Sequence, residues 1–513
     1  MTKKIKIYAG FLLGLFLFTK ASAENTDLPP LSAESELISN RAMLIIDYQV
    51  LSVVGDNPID LIGLHIFKKI GNSLYFGPGM SGPLVQGEYG GFMTADLTGH
   101  LQHHLTSQLF TTAGLSLGGG GGGRSVESSK VLSGTGGFFK SYVGLGFDFG
   151  EFSIGVNLAK MKFSQSAIDS TQANVFLEIP YTYTTGKFTR HDHQLSFADT
   201  IDVAEENTEK MISLVLDSYR QLNPQGSYKG NFNVADLQYG QYFSRDNYWF
   251  TSLGVGYSGL PVYNQILGGV GKRIQLLPRL NVYGQMGIGS GGYAPEIIDT
   301  GAGLLFNPRL VAEYALTTDL GLTISAGYLV ATTGSSKNQS FGMGLTQKFA
   351  FDNLKTGSND GSGLLTYHSY RVGLFHQVNS GLRFNNKHYS QLTMIGTQID
   401  TIIDGHWYIP IQASMAYNAY IGYPGYGEIL AGIGLQSQTT PGENWQVFCE
   451  LMGGTNVVGL ANKASFGLRY SLSDQTSLQL AAGRIEAKSS TNKDFSANSL
   501  SVTLNYLFSI PGQ

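Results

Sequence analysis

The chain has 513 residues, a formal charge of −4 and one cysteine, Cys449, which excludes an intramolecular disulfide framework and argues against nucleic acid as a partner. Glycine supplies 67 residues, Tyr and Phe 28 and 29, and only 14% of residues are charged. After the first 23 residues no apolar run approaches the roughly 18 that a membrane helix needs, so helix-spanning membrane proteins are excluded and a large β-protein is left.

In chain order, the first segment reads as a signal peptide. Lys3, Lys4 and Lys6 precede an apolar core from Ile7 to Phe18, and Ala21-Ser22-Ala23 has the small-x-small form that signal peptidase reads. Cleavage is expected after Ala23. Removing the four lysines of residues 1–23 takes the formal charge from −4 to −8. Residues 24–37 then form a linker.

"HLQHHL" (100–105) falls in an expected short turn, where solvated histidines are ordinary. The six glycines Gly118–Gly123, followed by Arg124, lack the strand, helix and Lys-Ser/Thr pair of a phosphate loop. They are expected to begin a long outer loop. "RHDHQ" (190–194) sets His191 and His193 two apart, a spacing able to bind a transition metal, but no third ligand is identifiable. In "AEENTEKMISLVLDSYRQLN" (204–223), Met211, Leu214, Val215, Tyr219 and Leu222 recur at helical spacing behind acidic residues. This predicts a helical insert.

Elsewhere the period is two. In 279–292, Leu280, Val282, Met286 and Ile288 oppose Asn281, Tyr283, Gln285, Gly287 and Gly289; in 320–328, Leu320, Leu322, Ile324 and Ala326 oppose Gly321, Thr323, Ser325 and Gly327. Such half-apolar strands of about ten residues suit a tilted transmembrane barrel strand, whereas sandwich strands run about five or six. Tight turns such as 150–152, 245–247, 317–319 and 473–476 alternate with long connections, among them 289–303 and 453–463. Aromatic clusters at Tyr248, Trp249 and Phe250, and at Trp407 and Tyr408, are expected at the membrane interfaces.

Segments 97–121, 267–292 and 430–454 parallel one another, and each precedes a strand-turn-strand unit. Three internal repeats follow: 38–185, 186–355 with the helical insert near 204–223, and 356–513. At about eight strand candidates per repeat, the expected fold is all-β, a transmembrane antiparallel β-barrel of about 24 strands. The alternative is three tandem eight-stranded barrels, each filled by its own side chains.

The last strand, "SLSVTLNYLF" (499–508), alternates and ends on an aromatic residue, and so resembles the terminal signal of Gram-negative outer-membrane β-barrel proteins. The tail "SIPGQ" departs from that pattern, which normally stops at the aromatic. The resemblance implies an outer-membrane location, with lipids and the barrel assembly machinery as partners. Lipid A deacylases are similar in carrying a His/Ser pair on a late strand, His-x-Ser-Asn. Here "YHSYRVGLFHQVN" (367–379) has Val378 in the serine position, while His368 and Ser369 are adjacent and face opposite ways.

No catalytic, cofactor-binding or metal-binding residue is therefore assigned, and no cofactor. The expected function is that of a passive pore or export conduit for a solute or polymer that the sequence does not name. The alternatives are a non-conducting surface, adhesion or scaffold barrel and, third, an outer-membrane lipid hydrolase.

Overall fold

The computed structural model describes residues 37–122, 136–164, 166–186, 194–195, 209–261, 263–294, 296–317, 320–349, 365–418, 425–437, 444–489 and 493–512. The first barrel comprises β1 (Leu37–Leu51), β2 (Ile59–Lys69), β3 (Leu74–Pro83), β4 (Met93–His104), β5 (Leu109–Gly121), β6 (Gly137–Asp148), β7 (Ser153–Phe163) and β8 (Asp169–Gly186), followed by a two-residue strand β9 (Gln194–Leu195). The second comprises β10 (Lys210–Gln221), β11 (Phe232–Tyr242), β12 (Asn247–Ser258), β13 (Asn264–Leu277), β14 (Leu280–Gly292), β15 (Leu304–Ala315), β16 (Leu320–Ala331) and β17 (Lys337–Phe349). The third comprises β18 (Leu365–Phe384), β20 (Leu392–Ile402), β21 (Trp407–Ala416), β22 (Gly427–Gln436), β23 (Trp445–Asn456), β24 (Gly459–Ser471), β25 (Thr476–Lys488) and β26 (Asp494–Gly512), with the short β19 (Lys387–His388) beside β18.

Of the two architectures expected, three tandem eight-stranded barrels are the one realised, and the single barrel of about 24 strands is not. Each unit closes on itself. β1 pairs with β8 from Leu37↔Gly186 to Tyr48↔Val175, β10 with β17 from Lys210↔Phe349 to Gln221↔Asn338, and β18 with β26 from Thr366↔Gly512 to Phe384↔Phe495. With first and last strands bonded, no free edge remains for a neighbouring barrel to extend.

The alternation is inside out relative to a soluble barrel. On β14, Tyr283 and Gln285 are buried inside while Met286 and Ile288 are exposed outside; on β16, Thr323 is buried and Leu322 and Ile324 are exposed. Leu451 and Phe466 of the third barrel are 71% and 67% exposed. A wall of large apolar side chains around a polar interior is stable only in hydrocarbon. Replacing Ile324, outward-facing near the middle of β16, by Arg should therefore cost on the order of 2–4 kcal/mol, as expected for a cation at the midplane on the lipid face. Refolding into lipid vesicles, read by heat-dependent gel migration, measures it; unchanged folding would contradict the assignment of this face.

The predicted helix near 204–223 is absent from its described part, which is strand β10. Met211, Ser213, Val215, Asp217 and Tyr219 are buried, whereas Leu214 and Leu216 are exposed. The inward apolar residues fall every fourth position because polar Ser213 and Asp217 take the places between them. That spacing imitates a helical stripe.

The hexaglycine is also displaced from its expected place. Gly118–Gly121 belong to β5, paired with Asp96–Met93 of β4, and only Gly122 of the described residues follows the strand. The connection expected at 453–463 is a tight turn at Val457–Val458 between β23 and β24. The tail after Phe508 continues β26, with Tyr367↔Pro511 in register, so the strand runs past its aromatic residue. Turn chemistry is local where expected: in the turn before β21, the backbone N–H groups of Trp407 and His406 donate to Asp404 at 2.7 Å. They hold its carboxyl below the ordinary range.

Candidate functional site: barrel interiors and inter-barrel contacts

Each interior is layered. At the long-loop end lies an apolar plug: Leu51, Tyr89, Phe92, Phe138 and Phe163 in the first barrel, Tyr219, Phe232, Tyr263 and Leu329 in the second, and Leu382, Met394, Tyr426 and Phe495 in the third. These residues close the barrel ends from inward positions near the ends of several strands and from the loops. Toward the short-turn end the first two barrels carry further apolar and aromatic layers, Met43, Phe67, Phe110 and Phe176 and Met211, Tyr242, Tyr248, Phe250 and Tyr283.

Between these layers sit charges. In the first barrel, Lys140 meets Asp47 at 2.9 Å, and His65 lies 3.4 Å from Asp47 and 3.9 Å from Asp96. The cavity beside them measures about 20 Å³, room for about one water. In the second, Arg309 lies 3.2 Å from Asp217 and 4.0 Å from Asp236, and Tyr283 and Lys348 both bind Glu313. In the third, Arg371 meets Asp400 at 2.6 Å. Lys463 donates to Gln377 and Gln412 at 2.7 and 3.1 Å, and Glu450 accepts from Gln398 and Tyr408, both at 2.9 Å. Eight strands enclose only enough space for such side chains, and burying these charges requires the partners they have.

The residues weighed in the sequence scatter among these environments. His100 is not in a turn but inside the first barrel, 2.7 Å from the Tyr142 hydroxyl, whereas His103 and His104 are exposed. His191 and His193 lie outside the described residues. Ser369 is buried and bonds Ser509 at 2.9 Å, with His368 the residue before it on the same strand; His376 bonds the Tyr417 hydroxyl at 2.6 Å. Ser369 and His376, seven positions apart on β18, face opposite ways. Tyr248 and Phe250 pack inside, and Trp249 alone of that cluster lies on the outer face, 5.5 Å from the Tyr239 ring. Tyr408 is buried and Trp407 exposed. Among the described residues no group of three His, Cys, Asp or Glu side chains is placed to hold a metal ion.

The feature that sequence reasoning missed is the way the barrels meet. The fifth strand of each touches the third strand of another: β14 touches β3, β23 touches β12 and β5 touches β21. The order closes a ring, as in a cyclic trimer written in one chain. Asn264 donates to the Gly91 carbonyl at 2.8 Å, Gly90 N–H to the Gly301 carbonyl at 3.0 Å, and Thr455 to the Gly256 carbonyl at 3.3 Å. Glycine permits the approach. A Cβ on Gly119 would lie 2.5 Å from the Ala416 carbonyl oxygen, and one on Gly91 2.8 Å from the Gly292 carbonyl carbon. At the short-turn end β26 meets β8 at Ser509↔Gly186 and β9 pairs with the start of β18. The recurring sequence segments are the fourth and fifth strands of each barrel, and their glycine-rich ends form this ring.

No protein-family model matches the chain, and no curated protein matches it. Solved structures similar to it include a mutant ferric enterobactin receptor from Pseudomonas aeruginosa, 8% identical with a TM-score of 0.28, covering 91% of this chain and 80% of that one. Another is a siderophore receptor from Acinetobacter baumannii, 9% identical with a TM-score of 0.29, covering 94% and 81%. Likeness at that level carries no argument about activity. The class follows from the molecule itself: closed antiparallel barrels with apolar walls, charged and polar layers inside and alternating strands of ten to 20 residues. This is an outer-membrane β-barrel protein.

Proposed function

We propose that the protein is a non-conducting membrane scaffold, exported by cleavage after Ala23, assembled through the barrel assembly machinery and presenting the long connections of three barrels as one outer surface. The observation that carries this reading is the filled interior. Arg309, Arg371 and Lys140 are buried in paired networks under apolar plugs, leaving a solute no continuous polar path. A passive pore or conduit would need an open lumen, which barrels with many more strands provide. The glycine ring supports the scaffold role because it fixes the three loop sets relative to one another.

The test is conductance in a planar lipid bilayer. Purified, folded protein should leave the current at baseline across voltage and salt; discrete reproducible steps would restore the pore reading. Recovery of the protein in the soluble periplasmic fraction after osmotic shock would refute the location as well.

A further inference from the structure

A groove of about 820 Å³ runs across the outer wall of the second barrel, over β13, β14, β15 and β16. Its floor is made of small or compact residues, Gly284, Pro308 and Ala326, and its sides of Val270, Met286 and Leu310. The cause is a gap in the apolar wall. In the hydrogen-bonded row Lys272–Gly284–Leu310–Ala326, Gly284 contributes no side chain, and a Cβ there would meet nothing within 4 Å. Its neighbours Met286 and Leu310 stand 57% and 63% exposed.

One end of the groove is charged. Lys272 is exposed, pairs with Asn247 across the ladder and stands beside the short turn at Phe243–Asp246, whose Asp246 carbonyl accepts from Arg273 N–H at 2.7 Å. That turn carries one cation, Arg245, and one anion, Asp246, so Lys272 supplies the net charge. Among the described residues it forms no ion pair. Because barrel strands are tilted by about 35–45°, a row of bonded neighbours climbs obliquely from the turn rim toward the bilayer centre. Three strand spacings of about 4.8 Å give it roughly the length of the upper part of an acyl chain. Val270, Met286 and Leu310 along its sides are all exposed, so the groove is open on its outer side.

We propose that this groove binds one anionic glycerophospholipid from the leaflet on the short-turn side, with its phosphate at Lys272 and one acyl chain lying over Gly284, Pro308 and Ala326. Charge complementarity selects the headgroup, and a preformed apolar trough gives the chain contacts that a smooth barrel wall does not. The inference rests on the membrane-scaffold reading. The full chain is folded into vesicles of phosphatidylethanolamine and phosphatidylglycerol, checked by heat-dependent gel migration, extracted in mild detergent and weighed intact by native mass spectrometry. The parent should retain one phosphatidylglycerol. Gly284→Phe, which fills open space, should retain none, and Lys272→Gln should lose the preference for phosphatidylglycerol while folding normally. Equal lipid retention by parent and both variants overturns the site, as does a folded parent that carries no lipid or one that retains lipopolysaccharide in preference. Should Gly284→Phe fail to fold, Lys272→Gln alone decides. Failure of the parent itself to enter vesicles would instead count against the membrane reading.

Discussion

Replacing Arg309 by Met is expected to destabilise the second barrel by about 3–5 kcal/mol, the usual consequence of removing one partner from a buried ion network. Arg309 lies between Asp217 and Asp236, at 3.2 and 4.0 Å, and all three are buried. Without the guanidinium, two carboxylates are left inside a barrel with no counter-charge in reach, and Asn307 loses the N–H that Arg309 donates to it at 2.9 Å. The loss is a large share of the roughly 5–15 kcal/mol by which native proteins are stable. Urea unfolding of the protein in vesicles, followed through tryptophan fluorescence and gel migration, measures it. The triple variant Arg309→Met, Asp217→Asn, Asp236→Asn should recover most of the loss, because neutral groups of similar size remove the uncompensated charge. A cost for Arg309→Met below about 1 kcal/mol, the scale of an exposed ion pair, would mean that the interior is hydrated, and the non-conducting reading would weaken with it.

Replacing Gly119 by Leu should separate the first barrel from the third without unfolding either. The nearest atoms to a Cβ at this position are the Ala416 carbonyl oxygen and carbon, at 2.5 and 3.1 Å, and Tyr417 Cα at 3.3 Å. All belong to the third barrel. Overpacking of this kind costs about 1–3 kcal/mol, and here the strain is relieved by opening the contact. Chymotrypsin should then cleave at Tyr417 in the variant and spare it in the parent. Gly99→Leu on β4 is the control, since a Cβ there meets nothing within 4 Å. Equal cleavage of parent and Gly119→Leu would show that the ring of glycine contacts does not hold the barrels together.

Glycine illustrates why such a contact is hard to read from sequence. A residue without Cβ serves a flexible loop and a close backbone approach equally well, and nothing local distinguishes the two. The run Gly118–Gly123 therefore suggests a loop until Ala416 of another barrel is placed against it. Similarly, Met211, Val215 and Tyr219 suggest a helix until Ser213 and Asp217 are seen to share their inward face. One signal for filled barrels was available in the sequence. Cations occur at inward strand positions with an acid in the same repeat: Lys140 with Asp47, Arg309 with Asp217, Arg371 with Asp400. Large polar side chains that pair within one unit suit a packed interior.

What the sequence determined by itself is the local physics: strands of period two, the faces that carry Leu322 and Thr323, the short turns and the threefold recurrence. Each depends on residues a few positions apart, since side chains alternate along any strand whatever it pairs with. Only the tertiary structure decided how many strands close each barrel and how the barrels meet. Closure pairs Leu37 with Gly186 and the ring sets Gly119 against Ala416, contacts between residues far apart in the chain. The lipid-facing pattern is the same for eight strands or 24, so the local pattern is silent about closure; register and interior volume settle it.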